Sequence, residues 1–236
     1  MCGRFSLGGP AATLLSHFNV QESVVWAGRY NLTPSQEILT IVQPAGAPRQ
    51  VRRMRWGLIP AWAKDPAIAN QLINARAETV ATKPAFRAAF RERRCLIVTD
   101  GFYEWEAQGR RKRPWFIRMQ DGRPFAFAGL WDRWTDPEGR AVESCTIITT
   151  TPNGLIRRFH HRMPVILSPA DYDLWLDMEI RDVERLLPLL APYPPEAMTA
   201  YPVSPLVNNP ANDSPACQAS VGDSTVLTLQ GLEPEG

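Results

Sequence analysis

The hydrophobic pattern along the chain runs in three stages. In the first, helical and extended patterns alternate loosely. Leu14, Leu15 and Phe18 recur at helical spacing and predict a short helix over residues 10–18. Strand-like runs follow at 37–42 and 51–56, and the pair Leu72-Ile73 leads into the polar segment 74–79. Residues 81–94 are arginine-rich with Phe86 and Phe90 four apart, so the two rings would share one face of a helix and leave a basic face opposite. From 95 to 151 the texture turns to β. Runs of Phe, Trp, Ile, Val and Thr are separated by turn signals at Asp100-Gly101, Gln108-Gly109, Asp121-Gly122 and Pro137-Glu138-Gly139, which predicts an antiparallel meander. In the last stage, Ser168 as a cap, Pro169 at the first helical position and Asp171 in the first turn predict helices over 169–178 and 181–187, where Pro188 interrupts. Beyond Pro192, segments rich in Pro, Asn, Asp and Ser predict irregular structure to about residue 209 and a mobile tail over 210–236.

No repeat is visible, and strands do not alternate regularly with helices as in a doubly wound fold. The expected architecture is α+β, a curved antiparallel, barrel-like β-sheet core with flanking helices, in one domain over 1–209. At 44% hydrophobic residues the chain has apolar surface enough to exclude wholesale disorder. Its apolar runs, such as 95–98 and 145–148, fall far short of the roughly 20 residues of a membrane span, so no transmembrane helix is predicted. The uncharged stretch 5–21 is broken by Gly8-Gly9-Pro10, Ser16, His17 and Asn19 and makes a poor secretory signal, which points to the cytoplasm.

Charge changes this picture because the formal net of +2 hides a gradient. Residues 1–170 carry 24 of the 26 Lys and Arg but 13 of the 24 Asp and Glu; the remaining 2 and 11 lie in 171–236. An anionic partner for the first part is one reading, and uneven halves of an ordinary soluble protein the other. Arginine clusters at 49–55, 87–94 and 110–113, interleaved with Trp56, Trp62, Phe86, Phe90 and Trp115, have the composition of single-strand nucleic-acid grooves. The same residues also suit a soluble hairpin turn and a buried Phe pair.

The candidate chemistry is sparse. Phosphate-binding glycine motifs, G-x-S-x-G and H-E-x-x-H are absent, so no nucleotide cofactor is indicated. The four cysteines (Cys2, Cys95, Cys145, Cys217) form no CxxC pair, and with the three histidines they make no cluster at ligand spacing, so no metal is expected. Cys95 and Cys145 sit in strand-like apolar runs and read as core. Cys2 would carry a free amine beside its thiol once Met1 is removed, and such an aminothiol has two nucleophiles partly in reactive form near neutral pH. It could condense with an aldehyde to a thiazolidine, act as the nucleophile of an amide hydrolase with its own amine as base, or be an unremarked second residue. Asn74 could fix a turn or face a ligand. Glu104 lies in an extended segment where Phe102, Glu104 and Glu106 point one way and Tyr103, Trp105 and Ala107 the other. It belongs either to a solvated face or to an aromatic pocket with a raised carboxyl pKa. His160 and His161 precede an apolar strand; on an extended segment only one of them would face a site.

Six pieces carry a resemblance. They are Met1-Cys2-Gly3-Arg4-Phe5, Arg29-Tyr30-Asn31, Trp56-Gly57-Leu58-Ile59-Pro60-Ala61-Trp62, Ile73-Asn74-Ala75-Arg76-Ala77-Glu78-Thr79, Asp100-Gly101-Phe102-Tyr103-Glu104-Trp105 and His160-His161-Arg162-Met163-Pro164. In order and spacing they resemble the SOS response-associated peptidase family, the abasic-site processing proteins that shield abasic sites in single-stranded DNA. The resemblance runs to about Asn209. It implies a monomer without cofactor or metal, cytoplasmic and nucleoid-associated when bound to DNA. It also implies a lyase-like crosslinking enzyme whose mature Cys2 forms a thiazolidine with the ring-opened sugar aldehyde. Asn74, Glu104 and His160 correspond to the family's active-site trio: Asn74 near the amine, Glu104 moving protons in imine chemistry, His160 assisting ring opening. Arg4, Arg76 and Arg162 resemble its phosphate-contacting arginines, with Trp62 and Thr149 as further DNA-surface candidates. The alternative, which the family name preserves, is a cysteine peptidase or amidohydrolase using Cys2, with removal of Met1 as its mildest form. At position 63, where some members carry a second aromatic, this chain has Ala63, and the tail with Cys217 has no family counterpart.

Overall fold

Strand β10 (Ala141–Thr150) organises the fold seen in the computed structural model, which describes residues 2–109, 111–221 and 226–228. Along its first part β10 pairs antiparallel with β9 (Phe125–Thr135) on one edge and parallel with β4 (Gln50–Trp56) on the other. β4 pairs with β3 (Glu37–Val42), β3 with β6 (Arg94–Thr99) and β6 with β9, so the five strands close into a barrel. Closure removes the unpaired edges that an open sheet would leave. The sheet is antiparallel as expected except where β10 runs parallel to β4 and to β5 (Asn74–Arg76), pairings that the meander pattern did not foreshadow.

A second sheet packs against the barrel. Its order is β12 (Met198–Pro202), β8 (Arg111–Met119), β7 (Gly101–Gln108), β1 (Phe5–Leu7) and β2 (Arg29–Leu32). The turns fall where the sequence places them, with Gly109, Gly122 and Gly139 all at positive φ. The meander nevertheless divides between two sheets, because β7 and β8 peel off between β6 and β9. Phe5 joins the layers by packing on Trp56 at 5.1 Å and Phe127 at 5.8 Å. Gly57, at φ 118°, turns the chain out of β4; a Cβ there would lie 2.8 Å from the Ala69 carbonyl, so the turn requires glycine.

The helices are short. α1 (Ala11–His17) matches its expectation, whereas the helix over 81–94 shrinks to α2 (Arg87–Glu92). Phe86 and Phe90 are buried as one face requires, but Arg94 leaves the helix to begin β6 and is itself buried. It donates to the carbonyls of Phe90, Arg91, Trp175, Asp177 and Ile180, and burial lowers its pKa to about 10. The helix over 169–178 is a 3₁₀ turn (Pro169–Asp171) followed by α3 (Tyr172–Leu176), and Ser168 makes no side-chain cap. The one over 181–187 is α4 (Val183–Leu186) running into a 3₁₀ turn (Leu187–Leu190) that accommodates Pro188. No helix among the described residues is long and apolar enough to cross a membrane.

The C-terminal part departs most from expectation. Residues 198–202, read as irregular, form β12 because Met198, Thr199, Ala200 and Pro202 bury on β8. The segment 210–221, expected to be mobile, is docked in its described part; residues 222–225 and 229–236 of that expected tail lie outside the described residues. Cys217 is buried with Tyr103, Phe116, Val203 and Val207. Asp213 accepts from the Tyr30 and Asn31 backbone N–H groups and pairs with Arg29. Gln218 reaches Ser6 and Asp100. The buried Asn31 amide holds this segment: Nδ2 donates to the carbonyls of Val207, Asn209 and Asn212 at 3.2, 3.1 and 2.7 Å, while Oδ1 accepts from Arg4 at 2.8 Å. Since unsatisfied buried partners cost about 1–3 kcal/mol each, Asn31→Ala is expected to lower stability by about 3 kcal/mol in urea denaturation and to expose residues 205–218 to protease. A change below about 0.5 kcal/mol would show that the segment is held without this amide.

Candidate functional site

Strand β7 delivers the central residue. Its alternation follows the sequence pattern: Phe102 packs on Phe127 in the barrel core, Tyr103 on Phe116 in the opposite cluster, and Glu104 returns to the barrel side. There Glu104 is only 5% exposed, and its Oε1 is buried with no hydrogen-bond partner among the described residues. Loss of hydration therefore falls on the charged form, and the carboxyl pKa is pushed up to about 7. Glu104 lines a cleft of about 820 Å³ together with Arg4, Trp105, Lys112, Arg158 and His160.

Three elements bring Cys2, Asn74 and His160 to this carboxyl. Cys2 precedes β1 and is fully buried; burial, and then the neighbouring Glu104, raise its thiol pKa. Asn74 opens β5, which the second part of β10 carries in parallel register, Ile147 opposite Asn74 and Thr149 opposite Arg76. The Asn74 Nδ2 donates to the Cys2 carbonyl at 2.9 Å, while its Oδ1 is buried without a partner among the described residues. Two of the site's groups thus keep an unused acceptor in the interior, which is expensive unless something else binds there. His160 follows a 3₁₀ turn (Ile156–Arg158) rather than lying on an extended segment, so the two histidine rings do not face opposite sides but stack at 4.3 Å. His160 is half-buried and burial lowers its pKa. Its Nδ1 accepts from the Arg162 backbone N–H at 2.9 Å, which assigns the proton of the neutral ring to Nε2.

The other expected contact residues divide. Arg4 lines the cleft, held by Asn31, by the Val207 carbonyl at 2.5 Å and over the Trp105 ring at 5.7 Å. Arg76 is exposed, two residues along β5 from Asn74. Arg162 is linked to the site through His160. Thr149, expected at the surface, is fully buried: its hydroxyl donates to the Ala75 carbonyl at 3.3 Å, and its own carbonyl accepts from Arg162 at 2.6 Å. Trp62 is 60% exposed beside a separate hollow of about 300 Å³ with Lys64, Asp65 and Gln71. Ala63 next to it is buried with Ile59, Ala69 and Trp134.

Sequence reasoning missed Lys112, Arg158 and Asn208 as cleft residues. Arg158 pairs with Glu106 at 2.8 Å and lies over Trp115 at 5.4 Å. Its signal was present, two positions before His160 and opposite Glu106, which shares the face of Glu104, whereas Asn208 arrives from a segment without pattern. The aromatics interleaved with arginine are mostly interior: Trp56, Phe86, Phe90 and Trp115 are buried. Much of the arginine is structural too, as in the Arg49–Asp173 and Arg52–Glu143 pairs. The acidic segment after Asp171 borders a different hollow, against residues 43–46. Among the described residues no three His, Cys, Asp or Glu side chains gather for a metal.

Comparison with known proteins bears directly on this arrangement. The chain is 44% identical over 219 residues to the abasic site processing protein YoqW of Bacillus subtilis, covering 91% of this chain and 97% of the relative. It is 34% identical over 196 residues to abasic site processing protein HMCES of Xenopus tropicalis, covering 73% of this chain and 58% of that longer protein. A crystal structure of a Bacteroides thetaiotaomicron protein superposes with a TM-score of 0.85 at 28% identity, over 93% of this chain and all of the other. A Bordetella bronchiseptica protein gives 0.75 at 26% identity, over 86% and all of it. The family model described as SOS response associated peptidase (SRAP) matches residues 1–210, every residue of the cleft included, and the chain belongs to that family.

Proposed function

We propose that this protein processes abasic sites by binding single-stranded DNA and crosslinking it covalently through Cys2. The observation that carries the reading is the buried Glu104 carboxyl beside Cys2, lining a cleft with Arg4, Lys112 and Arg158, its Oε1 without a hydrogen-bond partner among the described residues. The names of the relatives support abasic sites as the target.

The chemistry follows from the protonation states. Removal of Met1 frees the Cys2 α-amine, with an ordinary pKa of about 8. The thiol, raised by burial and by Glu104, stays protonated, so the amine attacks first. His160 Nε2–H hydrogen-bonds the sugar ring oxygen, and the C1′–O4′ bond opens as that oxygen takes up a proton through water while the C1′ hydroxyl releases its proton to water, leaving the aldehyde. The amine adds to C1′ with transfer of one of its protons to the oxygen, and Glu104 in its acid form protonates the departing hydroxyl, giving the iminium, one water and the Glu104 carboxylate. The thiol sulfur then adds to the iminium carbon, and its proton goes to the Glu104 carboxylate, which restores the acid form and leaves a neutral thiazolidine N–H. Asn74 orients the Cys2 backbone throughout. A hydrolase acting through a Cys2 thiolate is the weaker reading, because it needs a thiol pKa lowered by its surroundings, and here burial raises it.

Mature protein incubated with single-stranded DNA bearing an abasic site is expected to give a band of retarded mobility that survives denaturation and is lost in Cys2→Ala. A band that persists in Cys2→Ala, or is absent with the parent protein, overturns the proposal. Glu104→Gln is expected to slow crosslinking by about 10²–10⁴. The parent rate should fall as pH rises past about 7, as the acid form is lost, and the variant should lack that fall; identical profiles would remove Glu104 from the mechanism.

Burial of Glu104 also has a stability signature. Its folded pKa lies above the unfolded value, so its acid form favours folding below about 4.5, and this contribution is lost as pH rises through about 7. Glu104→Gln removes the titration. Its stability relative to the parent should therefore rise by more than about 2 kcal/mol between pH 5 and pH 8 in urea denaturation. A pH-independent difference would place the carboxyl in water.

A further inference from the structure

Arg162 has no free edge with which to take a phosphate. Its Nη1 and Nη2 donate to Glu78 Oε1 and Oε2 at 2.5 and 2.9 Å, a bidentate fork. Nη2 also donates to the Thr149 carbonyl at 2.6 Å, and Nε is buried with no hydrogen-bond partner among the described residues. The two partners are unequally fixed. The Arg162 side chain is 11% exposed and tied to β10, whereas Glu78 is 49% exposed, on the turn after β5, and can swing into water. A carboxylate offers a guanidinium the same pair of oxygens as a phosphate does.

We propose that Glu78 is an internal phosphate mimic: it occupies the bidentate edge of Arg162 until a backbone phosphate of single-stranded DNA displaces it. This inference rests on the DNA-binding reading above. Exchange of one anion for another leaves Arg162 contributing little net attraction to any passing strand. The contact forms only where the rest of the strand already holds a phosphate at that place. Because the Arg162 backbone N–H also fixes the His160 tautomer, the exchange takes place at a side chain whose main chain must stay still.

The test is equilibrium binding of a fluorescent, undamaged single-stranded oligonucleotide across a salt series, using the full chain and the variants Glu78→Gln, Arg162→Ala and the double substitution. Glu78→Gln is expected to bind about three- to tenfold tighter, the range expected when a partly exposed bidentate competitor is removed. It should also steepen the dependence of log affinity on log salt by about 0.7, the slope of one single-strand phosphate contact. Both gains should vanish in the Arg162→Ala background. Equal or weaker binding by Glu78→Gln, with the parent binding and Arg162→Ala weakened, overturns the gate alone and makes Glu78 a support for Arg162. A parent protein that does not bind the oligonucleotide overturns the DNA-binding reading and the gate with it.

Discussion

Strand β10 hydrogen-bonds along both edges and changes partner on each. In its first part, β4 and β9 flank it and the barrel closes; in its second part, β5 and β11 (Met163–Pro164) take their places. One rigid strand therefore fixes the barrel and carries Asn74 and Arg76 on one side and the approach to His160 and Arg162 on the other. Register is what makes the arrangement accurate. Because successive residues alternate faces, a slip of one position in β5 would turn Asn74 away from the Cys2 carbonyl. Ala75 and Thr149, buried between these strands, resist such a slip through packing and through the Thr149 hydroxyl on the Ala75 carbonyl.

Against this frame the site accepts a local cost. Glu104 and Asn74 each hold an oxygen in the interior with no hydrogen-bond partner among the described residues, and the thiol beside them is buried as well. A structure selected for stability alone would pair or remove these groups. The cost is tolerable because they stand on strands paired along their length: β7 pairs with β8 from Phe102 to Gln108, and β5 with β10 from Asn74 to Arg76. The same burial that destabilises the charged carboxyl gives it a pKa near neutrality, where one group can both donate and accept a proton within a reaction.

How much of this could be read from the sequence depended on the range of the forces involved. The strands β3 and β4, the helix α1 and the turns of the β region were legible because alternation, helical spacing and glycine placement are local. So was the sidedness of Phe102, Glu104 and Glu106. The closure of the barrel was not legible in detail, because the parallel pairings of β10 join segments some 70 to 90 residues apart. The C-terminal segment misled for a related reason. Its Pro, Asn and Asp residues have no periodicity, yet several of its polar groups have distant partners: Asp213 caps backbone N–H groups of β2, Gln218 meets Asp100, and Asn208 accepts from Trp105. Polar composition implied mobility; in the fold it supplies the hydrogen bonds that hold an irregular chain in place. Thr149, a DNA-surface candidate by resemblance alone, lies buried in β10, and a hydroxyl within an apolar strand shows nothing of which side it faces.

The arginines show why charge counts say so little about partners. Their total suggested a field spread over the first 170 residues, but they act by geometry. Arg94 is spent on carbonyl oxygens, Arg49 and Arg52 on carboxylates, and Arg158 is shared between Glu106 and the Trp115 ring. Arg4 differs: it lines the cleft, and among the described residues its hydrogen bonds go to neutral groups, the Asn31 amide oxygen and the Val207 carbonyl. Its charge is oriented without being neutralised, and the cleft keeps its attraction for an anion. The docked C-terminal segment belongs to this electrostatic design because it supplies one of those two neutral acceptors. A carboxylate in either place would fix Arg4 equally well and cancel the charge that the cleft presents.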